Sequence, residues 1–354
     1  MLGAFERSWV ALAAITSLAA CGSNGHPTPD GSALVAVDAS ESIDGSDATP
    51  TDASGPTDDA DVTGDASYVD ADAPSDAGEA DAGPDSGTVE DPACARLRTE
   101  RVAVSPPDSM GSSVATCTAG SMATAAEEAT LRRINYYRTL VGLEPVVLDP
   151  DVLDVTNTQA LALSAAASQS VSAALLSTAS ATCSTPGSRT AALSSICGMG
   201  TTAASVVDLI LSTTSTFEPR GALLHPTLAS TAFGSVGNYA AIRIFDRNAS
   251  IPLPDFVAYP PAGVVPSGLP GTQTFTIAMA TGLSAATNVS VSVDGGSSVV
   301  VSSTYVANTL SWPLVAFSPP GGAASIEGGH SIHVVVDLAT LADVTYDVTF
   351  VDCP

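Results

Sequence analysis

A chain of 354 residues with 37 acidic and 11 basic side chains carries a formal charge of −26. That excess of carboxylates argues against nucleic acid as a partner, since phosphate recognition draws on clustered basic residues. The length exceeds that of a usual single domain, so more than one structural region is expected. The chain opens on a short segment holding Arg7, followed by an uncharged apolar run from Trp9 to Ala20. This run is too short to cross a bilayer as a free-standing helix, and residues 1–20 have the layout of a cleaved export signal outside the fold.

The run ends in Leu18-Ala19-Ala20-Cys21-Gly22, which resembles the lipobox of a bacterial lipoprotein. The resemblance implies cleavage after Ala20 and lipidation of Cys21, and two or more acyl chains on one residue would anchor the protein stably to a membrane. Gly22 and Ser23 stand where an inner-membrane retention signal would place aspartate, which directs the expectation to the outer membrane or cell surface. From 21 to 92 the composition turns to Asp, Ala, Ser, Thr, Gly and Pro, with no lysine or arginine. Little apolar surface and one sign of charge predict a disordered, self-repelling tether. About half of the acidic residues lie in it, leaving the folded remainder near −8 (roughly). Its aspartates do not form a D-x-[DN]-x-[DN]-G loop with a distal glutamate, so a solvated spacer is expected and not a calcium site.

Five cysteines follow Cys21, and an exported chain allows them to pair. Cys183–Cys197 and Cys94–Cys117 close the shortest loops and are the expected disulfides, with Cys353 left over. The alternative clamps Cys353 to Cys94 or Cys117. None shows the C-x-x-C spacing of a zinc or redox site.

Thr124-Ala-Ala-Glu127 reads as a capping box. Leu131, Ile134, Tyr137 or Arg138, and Val141 follow at helical spacing, and Gly142 sits where a left-handed C-terminal cap belongs. Glu127, Glu128, Arg132 and Arg133 read as a solvated face of this helix, with Glu128 and Arg132 in the favourable order four apart. Asp149 as N-cap with Pro150 after it opens a second helix through Val152, Val155, Gln159 and Leu163. A stretch of small residues follows, read as the rest of that helix and an irregular loop stapled by a cysteine pair. Thr202 to Leu211 reads as a third helix, and Gly237 to Asp246 alternates as a strand.

The phrase Ile134-Asn135-x-Tyr137-Arg138 with Gly142 and Leu143, then Pro145, Leu148, Asp149, Pro150 and Leu153, resembles the opening of the CAP superfamily (cysteine-rich secretory proteins, antigen 5 and pathogenesis-related proteins), in its bacterial SCP-like branch. Phe217 to Pro226 is similar to that family's G-H-R-x-x-L-L-N-P, and Gly237 to Asp246 to its G-H-Y-T-Q-V-V-W strand. The resemblance spans about 122–246 and implies a CAP-like α-β-α sandwich over 93–250. Pro252, Pro254 and Phe256 to Pro266 mark a boundary. Beyond it, short alternating runs stand at Phe275 to Ala278, Asn288 to Val293, Val299 to Ser303, Ser331 to Val336 and Val344 to Val351. Asp294-Gly295-Gly296 is a hairpin signal. A β-sandwich is expected over 251–354. With Asn308 to Trp312, this half resembles the C-terminal domain of some myxobacterial CAP-like lipoproteins. The expected fold class is therefore α+β.

Many CAP domains hold a metal ion in a cleft through two histidines and two glutamates, ligands suited to zinc. The resemblance places Asn238 at the strand histidine and Pro219 at the G-H-R histidine. It places Ser194 near one glutamate, Ser184 near the other histidine, and Ser212 or Thr213 at the remaining glutamate. It implies a degenerate cleft without catalytic, cofactor-binding or metal-binding residues. His225 reads as a loop or packing histidine. His330 and His333 stand three apart by a strand, which points them to opposite faces. No G-x-S-x-G elbow accompanies the many serines, and Glu144 and Glu218 are isolated, unlike the paired carboxylates of a glycosidase. The expected function is a membrane-anchored envelope lipoprotein with a non-catalytic binding or structural role. The alternatives are an exported hydrolase with a site rebuilt from the central loop, or capture of an apolar, lipid-like ligand.

Overall fold

The computed structural model describes residues 19–21, 90–101, 108–214, 217–244, 246–248, 250–307, 312–339 and 341–354. The leader ahead of residue 19, the tether over 22–89 and Asn308 lie outside these residues, and the readings placed on them rest on sequence.

The extended segment β1 (Ala19–Cys21) is followed, beyond residues 22–89, by α1 (Pro92–Glu100), a helix that the sequence reading assigned to no element. Asp91 caps it by accepting from the Ala93 N–H at 2.8 Å, and Pro92 fills a position whose N–H would have no helical partner. A two-stranded hairpin, β2 (Ser109–Met110) and β3 (Ser121–Met122), leads into α2 (Thr124–Leu140). Here the expected capping box is corrected: Ala123 is the N-cap, no side chain caps it, and Thr124 already lies within the first turn. Gly142 does adopt the left-handed conformation, at φ +77°, that ends this helix.

After β4 (Val147–Leu148), α3 (Val152–Ser168) starts later than expected. Asp149 accepts from the Asp151 N–H and builds the turn, and Asp151 is the residue that caps, accepting from the Leu153 N–H at 2.8 Å. The small-residue stretch resolves into α4 (Ala173–Leu176) and α5 (Pro186–Ala192), the latter opened by a Thr185–Ser188 capping box. β5 (Ser195–Met199) and α6 (Ala203–Ser212) follow, and α6 begins on a second such box, Thr202 with Ser205. Then come α7 (Glu218–Leu223), β6 (Leu228–Thr231), β7 (Phe233–Val236), β8 (Tyr239–Arg243) and β9 (Asp246–Arg247).

β1, β5, β8 and β7 form one antiparallel sheet in that order. Side chains alternate across a strand, so Ile196, Ala240 and Ile242 join the apolar cluster under α2 and α6, while Cys197 and Ala241 join a second cluster under α3 and α5. The sheet is thus covered by helices on both faces. Gly234 fits against α3 because a Cβ there would stand 2.4 Å from the Thr158 carbonyl oxygen. The sequence reading put residues 1–20 outside the fold, yet Ala19 and Ala20 pair with Cys197 and Ile196. Cleavage before Cys21 would remove both and keep only the Cys21–Ser195 pair on that edge of β5.

The second half carries β10 (Val257–Tyr259), β11 (Gly263–Pro266), β12 (Phe275–Ala278), β13 (Asn288–Val293), β14 (Val299–Val301), β15 (Ser303–Val306), β16 (Leu314–Phe317), β17 (Ser331–Asp337) and β18 (Val344–Val351). They form a sheet of order β10-β12-β16-β15 and another of order β11-β18-β17-β13-β14. Ile332, Val334 and Val336 of β17 are buried while Ser331 is exposed and His333 is partly exposed, the alternation of a half-buried strand. The sheets meet through Phe275 and Phe350, whose rings are 6.4 Å apart. Asp294 and Gly295 both adopt positive φ in the β13–β14 hairpin, as that turn requires. The change of architecture near residue 250 leaves the core unbroken: one cluster runs from Ile134 and Tyr137 through Tyr259 to Phe275 and Phe350.

Both expected disulfides are corrected. Cys94 pairs with Cys353, the alternative kept open for the last cysteine, and Cys117 pairs with Cys183. Cys197 is buried on β5 and belongs to neither bridge. Loop length misled here because the β fold returns the chain end to α1, bringing the Cα atoms of Cys94 and Cys353 within 5.2 Å.

Asp108 supports α6 from outside, accepting from the Ala203 N–H at 2.5 Å. Burial raises its pKa above the ordinary 3.8, although the Ala203 N–H and the Ser235 hydroxyl pull the other way. The folded state therefore holds this proton more tightly than the unfolded chain. Its favourable contribution is complete below the ordinary value and is lost as pH rises through the folded one. Asp108→Asn keeps an acceptor and cannot ionise. Its stability relative to wild type should rise from about pH 3 to about pH 7 in urea titrations, and a constant or falling difference would refute the assignment.

Candidate functional site

Every basic residue in the chain is an arginine, and the described interior uses three of them in different ways. Arg138 is fully buried, and among the described residues it has no carboxylate partner. Its Nε donates to the Glu144 carbonyl at 3.0 Å. Its terminal nitrogens donate to the carbonyls of Leu223, His225 and Leu228 at 2.9–3.0 Å. One planar fork thus fixes the loop after α2 and the loop after α7, a task a lysine's point charge could not perform. Burial pulls the Arg138 pKa down to about 10, well above neutrality, so the group stays charged.

The neighbours of Arg138 in the Ile134–Arg138 phrase are committed in the same manner. Ile134 is core. The Asn135 amide donates to the Val146 carbonyl at 2.9 Å and its oxygen accepts from the Val146 N–H at 2.8 Å, bracketing the same loop. The Tyr137 hydroxyl donates to Asp208 Oδ1 at 2.6 Å.

Asp208, on α6, is the hub of a polar cluster that sequence reading missed. Its second oxygen accepts from Arg101 at 3.0 Å and from Arg133. Arg133 is therefore corrected from a solvated residue to a buried one, while Glu128 and Arg132 on the same helix are exposed. The mechanism is geometric: Arg133 faces α6, where Asp208 is the sole charged residue. That lone Asp in TAASVVDLIL, opposite a helix bearing two tyrosines and paired arginines, was the available signal. Tyr136 stacks edge-on to Tyr137 at 5.1 Å and lies under Arg96. Its hydroxyl is buried without a partner, and burial pushes its pKa up to about 12.

Arg220 holds the seam between the halves. It donates to the carbonyls of Thr274 at 2.7 Å and of Leu211, and lies 5.2 Å from the Tyr259 ring centre. Tyr259 in turn faces Tyr137 at 6.4 Å. Burial lowers the Arg220 pKa to about 10 and raises that of Tyr259.

Asn238 and Ser194, two of the cleft positions, stand apart. Asn238 is exposed in the β7–β8 turn, and Gly200 donates to its carbonyl, at the Met199–Tyr239 end of the β5–β8 ladder. Ser194 adjoins the opposite end, where Ser195 pairs with Arg243, roughly 13 Å or more away at the strand rise. Its hydroxyl donates to the Ala191 carbonyl. Ser184 lies past the disulfide, donating to the Thr178 carbonyl and accepting from Arg189. Pro219 is buried in the first turn of α7. His225 packs against Trp312 at 5.9 Å, and its Nδ1 accepts from the Thr227 N–H. His330 and His333 each face their own aspartate, Asp294 and Asp347, at 2.7 Å. Among the described residues, no three His, Cys, Asp or Glu side chains are grouped to hold a metal ion, and no helix is long and apolar enough to cross a membrane. A cavity of about 590 Å³ opens between Phe217, Phe317 and Val299 and has no charged residue in its lining.

No known protein family, curated protein or solved structure matches this chain.

Proposed function

We propose that this protein is a lipoprotein of the cell envelope, anchored through Cys21 at the outer membrane or cell surface. Its first folded half would be a divergent CAP-like domain serving as scaffold or binding surface and not as a catalyst. The observation that carries this reading is the commitment of the Ile134–Arg138 phrase: Asn135, Tyr137 and Arg138 spend their polar groups on internal partners. Helices on both faces of the β5–β8 sheet agree with a CAP-like layering, and the Leu18–Cys21 phrase supports the anchor.

The anchor is tested by fractionating cells that express wild type or Cys21→Ala. Wild type should sediment with membranes, and the variant should remain unprocessed or appear in the soluble fraction. A wild-type protein found wholly in the periplasm or medium would remove the anchor from the proposal.

A further inference from the structure

Sheet edges present unpaired backbone groups, and proteins ordinarily blunt them with charge, proline or a cover. In the five-stranded sheet of the second half, β11 packs against α1, whereas β14 ends the sheet with no described strand beyond it. β14 is short, at three residues, but carries neither charge nor proline. Val299 is 48% exposed and Val300 68% exposed, and no charged residue occurs from Ser297 to Ala307. In a chain of charge −26, this edge itself adds no local like-charge repulsion to the approach of another copy.

The residues around this edge read Ser297-Ser298-Val299-Val300-Val301-Ser302-Ser303, the same in both directions. A palindrome has a specific consequence for an antiparallel pair related by a two-fold axis. With Val300 opposite Val300, Val299 of one copy faces Val301 of the other, and Ser298 faces Ser302. Each apolar residue meets an apolar one and each hydroxyl a hydroxyl, which are favourable cross-strand pairs. Such an isologous interface closes on itself and needs no second patch. Val299 and Val301 also line the 590 Å³ cavity, with Phe217 and Phe317 behind them. Pairing would extend that apolar wall from one copy into the next.

We propose that β14 is the pairing edge of a two-fold symmetric dimer, in which the β14 strands of two copies run antiparallel about Val300. The interface joins two five-stranded sheets into one. It is independent of the anchor and of any activity in the first half.

The test uses the full processed chain, kept in mild detergent so that lipid does not itself drive association. Wild type should sediment as a concentration-dependent dimer. Val300→Lys sets two ammonium groups face to face and should weaken the dimer by at least ~100-fold. Val300→Thr, still β-branched and uncharged, should remain dimeric. Under mild oxidation Val300→Cys should cross-link across the axis, while Val152→Cys, at a position 77% exposed on α3, should not. A monomeric wild type overturns the proposal, as does a Val300→Lys chain that dimerises like wild type. So does a cysteine at 300 that cross-links no better than one at 152, the result expected if the tether or a foreign strand fills this edge.

Discussion

Arg138→Met should lower the stability of the folded chain by about 3–5 kcal/mol, measured by urea denaturation. The methionine fills much of the volume but donates nothing, so carbonyls of Glu144, Leu223, His225 and Leu228 lose their buried donor together. A typical hydrogen bond contributes only about 1 kcal/mol net, but an orphaned buried acceptor costs its full desolvation. The two loops fixed by this guanidinium should also loosen, which amide exchange around 142–146 and 224–228 would register. Arg132→Met, on the exposed side of the same helix, should change stability by no more than about 0.5 kcal/mol. Equal, small effects of the two substitutions would show that Arg138 holds nothing.

Loss of the Cys94–Cys353 bridge should be the other large effect. The bridge closes a loop of 259 residues, which in the chain-entropy account stabilises by about 5–6 kcal/mol through the unfolded state. The double variant Cys94→Ala, Cys353→Ala should therefore unfold at much lower urea, and α1 should become accessible to protease, since its one fully buried side chain is Cys94. Non-reducing peptide maps of wild type should show 94 linked to 353 and 117 to 183. A peptide joining 183 to 197 would contradict the fold described here.

Legibility followed the range of the interactions. The runs at 275–278, 288–293 and 344–351 emerge as β12, β13 and β18 with those same bounds, because strict alternation and the Asp294-Gly295 turn are local signals. The main helices were visible from spacing, but their starts moved by a residue or two. Competing caps, Ala123 against Thr124 and Asp151 against Asp149, are decided by the path of the preceding loop. α1 was overlooked because its cap, Asp91-Pro92, ends an Asp- and Pro-rich run that reads as tether. α4 (Ala-Ala-Leu-Leu) spans a single turn and α5 (Pro-Gly-Ser-Arg-Thr-Ala-Ala) is mostly small or polar, so neither is long or contrasted enough to show a period.

The site was less legible. Arg133 and Arg132 are adjacent in sequence and were read alike, yet one is buried against Asp208 and the other is in water. Only the crossing of α2 and α6 distinguishes them. The same limit applies to the cysteines, where partners 259 and 66 residues apart lie in contact. Ser194 and Asn238 were placed in one cleft by resemblance, and the β5–β8 ladder sets them at its two ends.

That separation bears on the central claim, that the CAP-like phrases serve the scaffold and not a metal. An amide at 238 is a poor replacement for imidazole toward a transition metal, and the hydroxyls at 184 and 194 are turned to backbone carbonyls. The most direct measurement is the metal content of the purified protein together with its Tm during zinc titration. Binding to the folded state raises stability by RT ln(1 + [L]/Kd), so a weak site gives almost no shift. The expected result is no stoichiometric metal and an unchanged Tm, in wild type and in Asn238→His alike, since one imidazole cannot supply a ligand set. One tightly bound equivalent in wild type, lost on substitution at 184, 194 or 238, would contradict the claim and favour an exported hydrolase.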